Sequence, residues 1–280
     1  MKMGDFSIVG TRYGRIDGQD KATGRAKYID DWKFPGMLYG SILRSPYPHA
    51  RIRHIDTSRA ERLMGVRAVA AALDTPNKKY GAYRSGVKDE LIFARDKVRY
   101  VGDEVAAVAA IDEEIAREAM SLIRVDYEEL PAVFHPEEAM KPGAPRIHDE
   151  TENNIVSHAV TLRGDIAKGL EEADLILEDR FETSLQMHAY LEPVGCIVAW
   201  DSAGKLTIWA PSQNPSWSRF IYSDALDVPM GKLRVVQTCI GGAFGGKLEQ
   251  KQYLVAAILA RKARRPVKIV NRRDEEVQTS

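Results

Sequence analysis

The sequence has few cysteines and no long apolar run. Only two of its 280 residues are cysteines, Cys196 and Cys239, too few for a disulfide framework or for the four thiolates that hold an iron–sulfur cluster. A cluster of that kind would have to lie on another polypeptide. No segment approaches the ~18 apolar residues of a membrane span, and the amino terminus has no apolar signal region. We therefore expect a cytoplasmic protein without a membrane span.

The sequence also lacks an excess of charge of either sign. Lys plus Arg and Asp plus Glu both total 40, so the formal net charge is zero. Binding to a phosphate backbone needs a basic excess or stripe. The densest basic run, Arg261 to Lys268, is typical of a helix end, where cations match the helix dipole and Pro266 stops the helix. We expect no nucleic-acid partner.

Common signatures of zinc or nucleophilic catalysis are missing as well, since the sequence contains neither H-E-x-x-H nor G-x-S-x-G. His188 and Glu192 have the i, i+4 spacing of a metal pair, but the other histidines are scattered. We expect His188 to be a hydrogen-bonded core residue. Adjacent carboxylates occur at 103–104 and at 128–129, and because consecutive strand residues face opposite ways, we expect both pairs to be solvated surface.

The apolar pattern predicts an α+β fold in two parts. Residues 1–131 form the first domain, in which two strands meet at a turn within 97–111 and a helix follows over 112–123. Residues 132–155 contain three prolines and no sustained apolar period, which predicts a linker. Residues 156–280 form the second domain: a capped helix leads into a strand over 164–183, and two antiparallel strands, a further strand, a glycine-rich loop, a helix and a last strand follow.

The glycine-rich loop, "CIGGAFGGKLEQ" at 239–250, has four glycines between positions 241 and 246. Gly241 to Lys247 fits the spacing of a phosphate-binding P-loop, but Leu248 replaces the Ser or Thr that ligates magnesium. The dinucleotide fingerprint fails too, since Ala243 stands where a glycine is required. Glycines at this density allow the backbone to approach a ligand closely, so we favour a ligand site over a tight turn that packs on a neighbouring strand.

Six segments resemble one enzyme family. "GRIDGQDKATGRAKYIDD", "GMLYGSILRSPYPHARI", "ARDKVRYVGDEVAAVAA", "QMHAYLEP", "SQNP" and "GGAFGGK" stand in the order found in the molybdenum-binding subunit of the xanthine dehydrogenase and aldehyde oxidase family. The sequence is most similar to bacterial members such as the large subunits of nicotinate dehydrogenase and 4-hydroxybenzoyl-CoA reductase. The resemblance covers nearly the whole chain.

This resemblance implies that residues 1–131 are an α/β hammerhead domain and that residues 156–280 begin a molybdopterin-binding domain. It implies a molybdenum–molybdopterin cofactor, either as such or as its cytosine dinucleotide. Water-derived oxygen would enter an aromatic heterocycle, an aldehyde or a related small molecule. Electrons would pass to iron–sulfur clusters and FAD on partner chains. We thus expect a dimer of heteromers that contains an iron–sulfur subunit, an FAD subunit and the remainder of the molybdenum subunit.

The family's motifs also imply site residues. Gln186 matches the glutamine whose amide approaches an oxygen ligand of molybdenum, and Phe244 is the centre of the loop that abuts the metal's ligands, so both are expected near the metal without ligating it. The expected cofactor-binding residues are Gln186, Gly241, Gly242, Ala243, Phe244, Gly245 and Gly246. Lys247 need not touch a phosphate.

The sequence departs from the family in two ways. Xanthine-oxidising members carry a glutamate directly after the lysine; here Leu248 occupies that place and Glu249 follows it. We expect both to line the substrate pocket and the substrate to differ from a purine. The general-base glutamate of the family is expected beyond residue 280, so the chain alone should be inactive. The alternative is a noncatalytic docking module without a cofactor, which would have no need of Gln186 beside a glycine loop.

Overall fold

The computed structural model describes residues 8–81, 87–151, 153–248 and 250–279. A seven-stranded mixed sheet in the order β3-β5-β1-β10-β7-β8-β9 forms its centre, and β4, β2 and β6 form a second, three-stranded sheet. The strands are β1 (Leu38–Arg44), β2 (Ala50–Asp56), β3 (Val66–Ala71), β4 (Lys97–Val98), β5 (Glu104–Ala110), β6 (Arg124–Glu129), β7 (Gly195–Trp200), β8 (Leu206–Ala210), β9 (Leu233–Gln237) and β10 (Val267–Val270).

Eight α-helices accompany the sheets in the described ranges. They are α1 (Gly18–Ala22), α2 (Ser58–Arg62), α3 (Glu113–Leu122), α4 (Pro136–Ala139), α5 (Ile166–Glu171), α6 (Pro215–Leu226), α7 (Lys251–Ala263) and α8 (Arg273–Thr279). None of these helices has the length and apolar character that crossing a membrane requires.

The main core forms where α7 packs on the seven-stranded sheet. Residues 252–260 of α7 are all buried, as expected of a helix that is apolar on every side. Every residue of β5 is buried too, and its small alanines allow a helix to pack on each face of the strand. Ala107 and Ala109 belong to the core that includes α7, whereas Ala106 and Val108 belong to a separate core that includes α3.

Strands from the two ends of the chain join in one sheet, because β1 pairs in parallel with β10 and Leu38 lies opposite Val267. The mixed sheets with packed helices confirm the α+β prediction. Residues 132–155 contain the short helix α4. The division into domains at 1–131, 132–155 and 156–280 stays a prediction.

Three local predictions differ from the structure. The strands within 97–111 do not pair with each other, since β4 lies in the small sheet and β5 in the large one. The strand expected after α5 is absent, because residues 174–183 are not in regular structure and expose their side chains. Helix α6 was not predicted, although Asn214 caps it through the Trp217 N–H and Pro215 is its first residue, which is a typical helix start.

The prediction of solvated surface was wrong for Asp103 and Glu104, which are both buried. Lys251 Nζ, at the start of α7, lies 3.1 Å from Asp103 Oδ1 and 3.0 Å from Glu104 Oε2, and Arg44 Nη1 lies 2.5 Å from Glu104 Oε1. These cations come from distant parts of the chain and compensate the buried carboxylates. The pair at 128–129 is exposed, as predicted.

Candidate functional site

The glycine loop, residues 239–250, lies between β9 and α7, which is the predicted strand–loop–helix arrangement. Three of its residues have left-handed backbone conformations: Gly242 with φ 93°, Phe244 with φ 49° and Gly245 with φ 101°. Phe244 is the non-glycine residue among them, and its side chain is 76% exposed at the tip of the loop. Left-handed residues at this density can turn neighbouring N–H groups toward a bound anion, as in an anion-binding nest.

The inner side of the loop packs against residues 188–192, and the contact requires glycine. A Cβ on Gly241 would lie 2.5 Å from Glu192 Cβ, and a Cβ on Gly246 would lie 2.7 Å from Tyr190 Cε1. Such distances are too short for real side chains. Gly241 and Gly246 are therefore explained by packing inside the protein, whereas Gly245 has open space beyond His188, whose nearest atom is 3.7 Å away.

Glu192 holds both ends of the loop. Its Oε2 accepts a hydrogen bond from the Gly241 N–H at 2.7 Å and lies 2.8 Å from Lys247 Nζ, while its own N–H donates to the Gly241 carbonyl at 3.1 Å. We call Glu192 and Lys247 the buried brace. The Lys247 side chain is fully buried, and the Glu192 side chain is 10% exposed. Sequence reasoning missed this pair and set Glu192 beside His188 instead; the two residues are 55 positions apart, and no local signal reveals their contact.

Lys247 points into the protein, so it is not arranged as the lysine of a phosphate-binding loop. Its Nζ lies 4.7 Å from the centroid of the Tyr190 ring as well as against Glu192. Burial lowers the pKa of Lys247, and Glu192 opposes this effect. The backbone N–H of Lys247 donates a hydrogen bond to Gln213 Oε1 at 3.1 Å. The expectation that Lys247 need not contact a phosphate agrees with this geometry.

Residues of α8 support the segment that the loop packs against. The Tyr190 hydroxyl donates to Glu276, whose other carboxylate oxygen accepts from the Val194 N–H at 2.7 Å. Arg273 donates to the Tyr190 and Leu191 carbonyls at 2.8 and 2.7 Å. Burial raises the pKa of Tyr190, and the hydrogen bond to Glu276 raises it further. These contacts make a fixed platform beneath the loop.

The outer side of the loop carries unused donors. Within the part of the chain that the structure describes, the backbone N–H groups of residues 242–245 make no hydrogen bond. In this strained turn Phe244 and Gly245 are exposed, Gly242 is half-buried and Ala243 is buried. Four consecutive free donors suit the oxygen acceptors of an anionic or oxo group, and the carboxylate beneath them is neutralised by Lys247. Such an arrangement suits an anionic or oxo ligand, and the binding of a molybdopterin cofactor by residues 241–246 stays a prediction.

The structure does not bring Gln186 to the loop. Its side chain is exposed and its Nε2 donates to Ser184 Oγ at 2.7 Å. His188 lies between Gln186 and the loop, half-buried, and its Nδ1 has no hydrogen-bond partner among the described residues. The prediction of a hydrogen-bonded core histidine was wrong for this nitrogen. The described residues contain no group of three or more His, Cys, Asp or Glu side chains that could hold a metal ion directly.

Leu248 and Glu249 were predicted to line the substrate pocket. Leu248 is half-buried, and its carbonyl accepts from Ser218 Oγ at 3.1 Å. Glu249 lies outside the described residues. Next to it, Gln250 donates its side-chain amide to the Gly246 carbonyl and its backbone N–H to the Tyr222 hydroxyl at 2.8 Å. The carboxyl end of the loop is thus fixed to α6 and α7.

Two family models match this sequence. Residues 23–131 match the α/β hammerhead domain of aldehyde oxidase and xanthine dehydrogenase, and residues 147–280 match the molybdopterin cofactor-binding domain. The glycine loop and the platform beneath it lie in the second match. Both domain types are those expected from the sequence.

Similar proteins also span nearly the whole chain. A probable xanthine dehydrogenase subunit from Bacillus subtilis is 42% identical over 267 residues, which are 95% of this chain and 35% of the relative. The nicotinate dehydrogenase large molybdopterin subunit of Eubacterium barkeri is 35% identical over 277 residues, 99% of this chain and 64% of the relative. The chain thus spans between about a third and two thirds of the length of these relatives.

Among solved structures, quinoline 2-oxidoreductase from Pseudomonas putida is similar with a TM-score of 0.86 and 31% identity, over 95% of this chain and 35% of the other. Aldehyde oxidoreductase from Desulfovibrio gigas is similar with a TM-score of 0.88 and 27% identity, over 96% of this chain and 31% of the other. The fold described above is therefore shared with molybdenum hydroxylases.

Proposed function

This chain belongs to the xanthine dehydrogenase and aldehyde oxidase family of molybdopterin-binding subunits, and we propose that it forms the N-terminal portion of the catalytic subunit of a molybdenum hydroxylase. The substrate is a small aromatic heterocycle, an aldehyde or a related molecule. Leu248 stands where xanthine-oxidising members of the family carry a glutamate, which favours a substrate other than a purine. The cofactor is molybdenum–molybdopterin, and we propose its cytosine dinucleotide form as one candidate.

The observation that carries the proposal is the row of backbone N–H groups at residues 242–245, which have no hydrogen-bond partner among the described residues. The cofactor, when bound, supplies a two-electron oxidant and water-derived oxygen. The chain's own contribution is to donate hydrogen bonds from these amides to oxygen atoms at the edge of that group. The side-chain amide of Gln186, which donates to Ser184 in this structure, would join them after it turns toward the loop. The buried brace keeps the N–H groups aligned before the cofactor arrives, so little is lost in ordering the loop.

The general base of the reaction comes from outside residues 1–280. Among the described residues, the carboxylate that contacts the loop is Glu192, which is largely buried and already binds Lys247 and the Gly241 N–H. A carboxylate engaged in this way is a poor acceptor for a substrate proton. We therefore propose that the chain alone is inactive and that the remainder of the molybdenum subunit supplies the base.

We propose that electrons leave through groups held outside residues 1–280. Cys196 is buried, and burial strongly raises the pKa of its thiol, so it is a poor cluster ligand; one other cysteine, Cys239, is not enough for a cluster. We propose an iron–sulfur subunit and an FAD subunit as partners, assembled as a dimer of heteromers in the cytoplasm.

The experiment that tests the proposal is metal analysis by mass spectrometry, with fluorescence of the oxidised pterin, on the native assembly that contains this chain. We expect molybdenum and pterin in near equal amounts, together with partner chains that carry iron and flavin. An intact assembly without molybdenum would overturn the proposal in favour of a noncatalytic docking module.

The role of Gln186 is tested in the same assembly. Gln186→Ala should lower the turnover rate by tenfold or more while molybdenum and pterin contents stay unchanged, because a single amide donor contributes to rate more than to retention. Gln19→Ala, at an exposed position of α1, is the matched control. Equal turnover rates for the two variants would place Gln186 away from the metal.

A further inference from the structure

A stretch of the chain next to the site exposes an unusual number of large apolar side chains. Residues 174–185, "DLILEDRFETSL", follow α5 and precede Gln186. Leu177 is 85% exposed and Phe181 is 90% exposed, and Leu175, Ile176 and Leu185 are exposed as well. Clustered exposure of this kind marks an interaction surface rather than ordinary scatter. We call residues 174–185 the docking segment.

The backbone of the docking segment is unpaired too. Of its N–H groups, that of Arg180 makes a hydrogen bond in the described structure, and its acceptor is the neighbouring Asp179 side chain. No described residue donates to a carbonyl of this segment. A stretch with free backbone groups and apolar side chains is a template for strand addition by another polypeptide segment. The sequence pattern predicts a strand here, and what is missing is a partner.

We propose that the docking segment becomes a β-strand by pairing with a part of the molybdenum-binding subunit that this chain does not span. The inference rests on the proposed function, because it takes the occupant from the same subunit. Pairing would satisfy the backbone and cover the apolar side chains in one step. It would also fix the chain just before Gln186.

The lengths of the relatives favour this occupant. The matched region is 35% of the Bacillus subtilis relative and 64% of the Eubacterium barkeri relative, so subunits of this family contain further residues that must pack somewhere. The docking segment leads directly into Gln186 and into His188, which lies against Gly245 and Gly246. A polypeptide that completes the site therefore passes beside this segment.

A second copy of the chain is a poorer occupant for electrostatic reasons. The segment carries four acidic side chains against one Arg, so two copies would bring like charges together. The acids are Asp174, Glu178, Asp179 and Glu182. The pairing strand should therefore be apolar with basic residues.

Hydrogen exchange measured on the native assembly tests this directly. The backbone amides of residues 174–185 should exchange at least tenfold more slowly in the assembly than in the isolated chain. Cross-linking followed by mass spectrometry should identify the covering peptide as part of a molybdenum-binding subunit. Intact mass then tells whether that part is on the same chain or on another one.

A pair of variants separates docking from folding. Leu177→Glu should weaken the assembly at least tenfold or abolish the protection, because it places a charge at a buried strand contact. Met64→Glu is the control, since Met64 is 90% exposed in another part of the protein. Leu177 is exposed in the chain itself, so its change should leave the thermal unfolding of the isolated chain unaltered.

Three results would overturn the inference: equally fast exchange of the segment in the assembly, a cross-linked peptide from any other protein, or protection in the isolated chain that grows with its concentration. The last result would identify a second copy as the occupant. Molybdenum content is measured on the same sample, so an assembly that holds molybdenum but leaves the segment unprotected rejects the docking inference and retains the proposed function.

Discussion

At the scale of single residues, the conformation of the glycine loop depends on the buried brace. Lys247 is fully buried and Glu192 nearly so, and a buried ion pair that loses one member leaves an uncompensated charge. The pair also explains why Lys247 follows the glycines. Its ammonium binds Glu192 at the end of the loop, and the Gly241 N–H binds the same carboxylate at the beginning.

Glu192→Gln should therefore lower the free energy of unfolding by about 3 kcal/mol at pH 7. The glutamine keeps an acceptor for the Gly241 N–H but no longer opposes the burial of Lys247, so the pKa of Lys247 falls further below its ordinary value. Since the unfolded state then binds more protons, the stability of the variant should rise as the pH approaches the ordinary Lys pKa of about 10.4.

Urea unfolding of Glu192→Gln, Lys247→Met and the double variant measures the coupling. We expect the double variant to be more stable than the sum of the two single effects predicts, by about 1–3 kcal/mol. Additive effects would show that the two side chains do not stabilise the loop as a pair.

At the scale of elements, the left-handed Phe244 stores strain at the tip of the loop. A non-glycine residue in this conformation costs about 1–2 kcal/mol, and the exposed ring gains little packing in return. We therefore propose that the exposed ring of Phe244 contacts a bound group.

Phe244→Gly should accordingly leave the melting temperature of the isolated chain unchanged or higher, because glycine relieves the backbone strain. The same variant in the assembly should lose at least tenfold in cofactor retention if the ring covers the bound group. Differential scanning calorimetry and pterin fluorescence give the two readouts. A fall in melting temperature with full pterin content would make the ring a packing residue. Tyr13→Gly is the control, because Tyr13 is also an exposed aromatic residue and is distant from Phe244 in the sequence.

An element can be predicted from the sequence when the interactions that form it join residues close together in the chain. Helix α3 follows from the apolar spacing of its residues and the Asp112 cap, whose Oδ1 accepts from the Ile115 N–H at 2.8 Å. Residues 174–183 have a strand pattern as well, yet a strand requires a partner and the described chain provides none there. Contacts such as Glu192 with Lys247 join residues 55 positions apart, and no periodicity encodes them. The glycine loop was found because its residues are consecutive.

At the scale of the whole molecule, one ionic cluster ties the region matched by the hammerhead model to the region matched by the molybdopterin model. Arg44 and Glu104 lie on the neighbouring strands β1 and β5, and Lys251 begins α7. The cluster lines a cavity of about 520 Å³ that also reaches Gln250. It therefore connects the sheet to the carboxyl end of the glycine loop.

The ionisation of the cluster depends on its members being together. Burial alone would raise the pKa of Glu104, but Lys251 and Arg44 outweigh burial and hold the pKa below its ordinary value. Burial opposes the charge of Lys251, yet Glu104 and Asp103 raise its pKa well above the ordinary value. The cluster thus contributes its full stabilisation between the ordinary pKa values of a carboxyl group and an ammonium, about 4.3 and 10.4.

Lys251→Met should lower the free energy of unfolding by about 3 kcal/mol at pH 7, because Glu104 then keeps Arg44 as its cationic partner whereas Asp103 loses the ion pair that the described structure gives it. The difference from the unmodified chain should shrink as the pH falls toward 4. In the variant, burial raises the pKa of Glu104 and its protonation relieves the unpaired charge, whereas the unmodified chain keeps the contribution of Glu104 until the pH falls below the ordinary pKa of about 4.3. Lys262→Met on the same helix is the control. Lys262 pairs with Asp74 at a half-exposed site, where an ion pair contributes at most about 1 kcal/mol.

Urea unfolding at pH 4, 5.5 and 7 measures both variants. A constant difference for Lys251→Met across this range would mean that the cluster stabilises the joined sheet by packing rather than by charge.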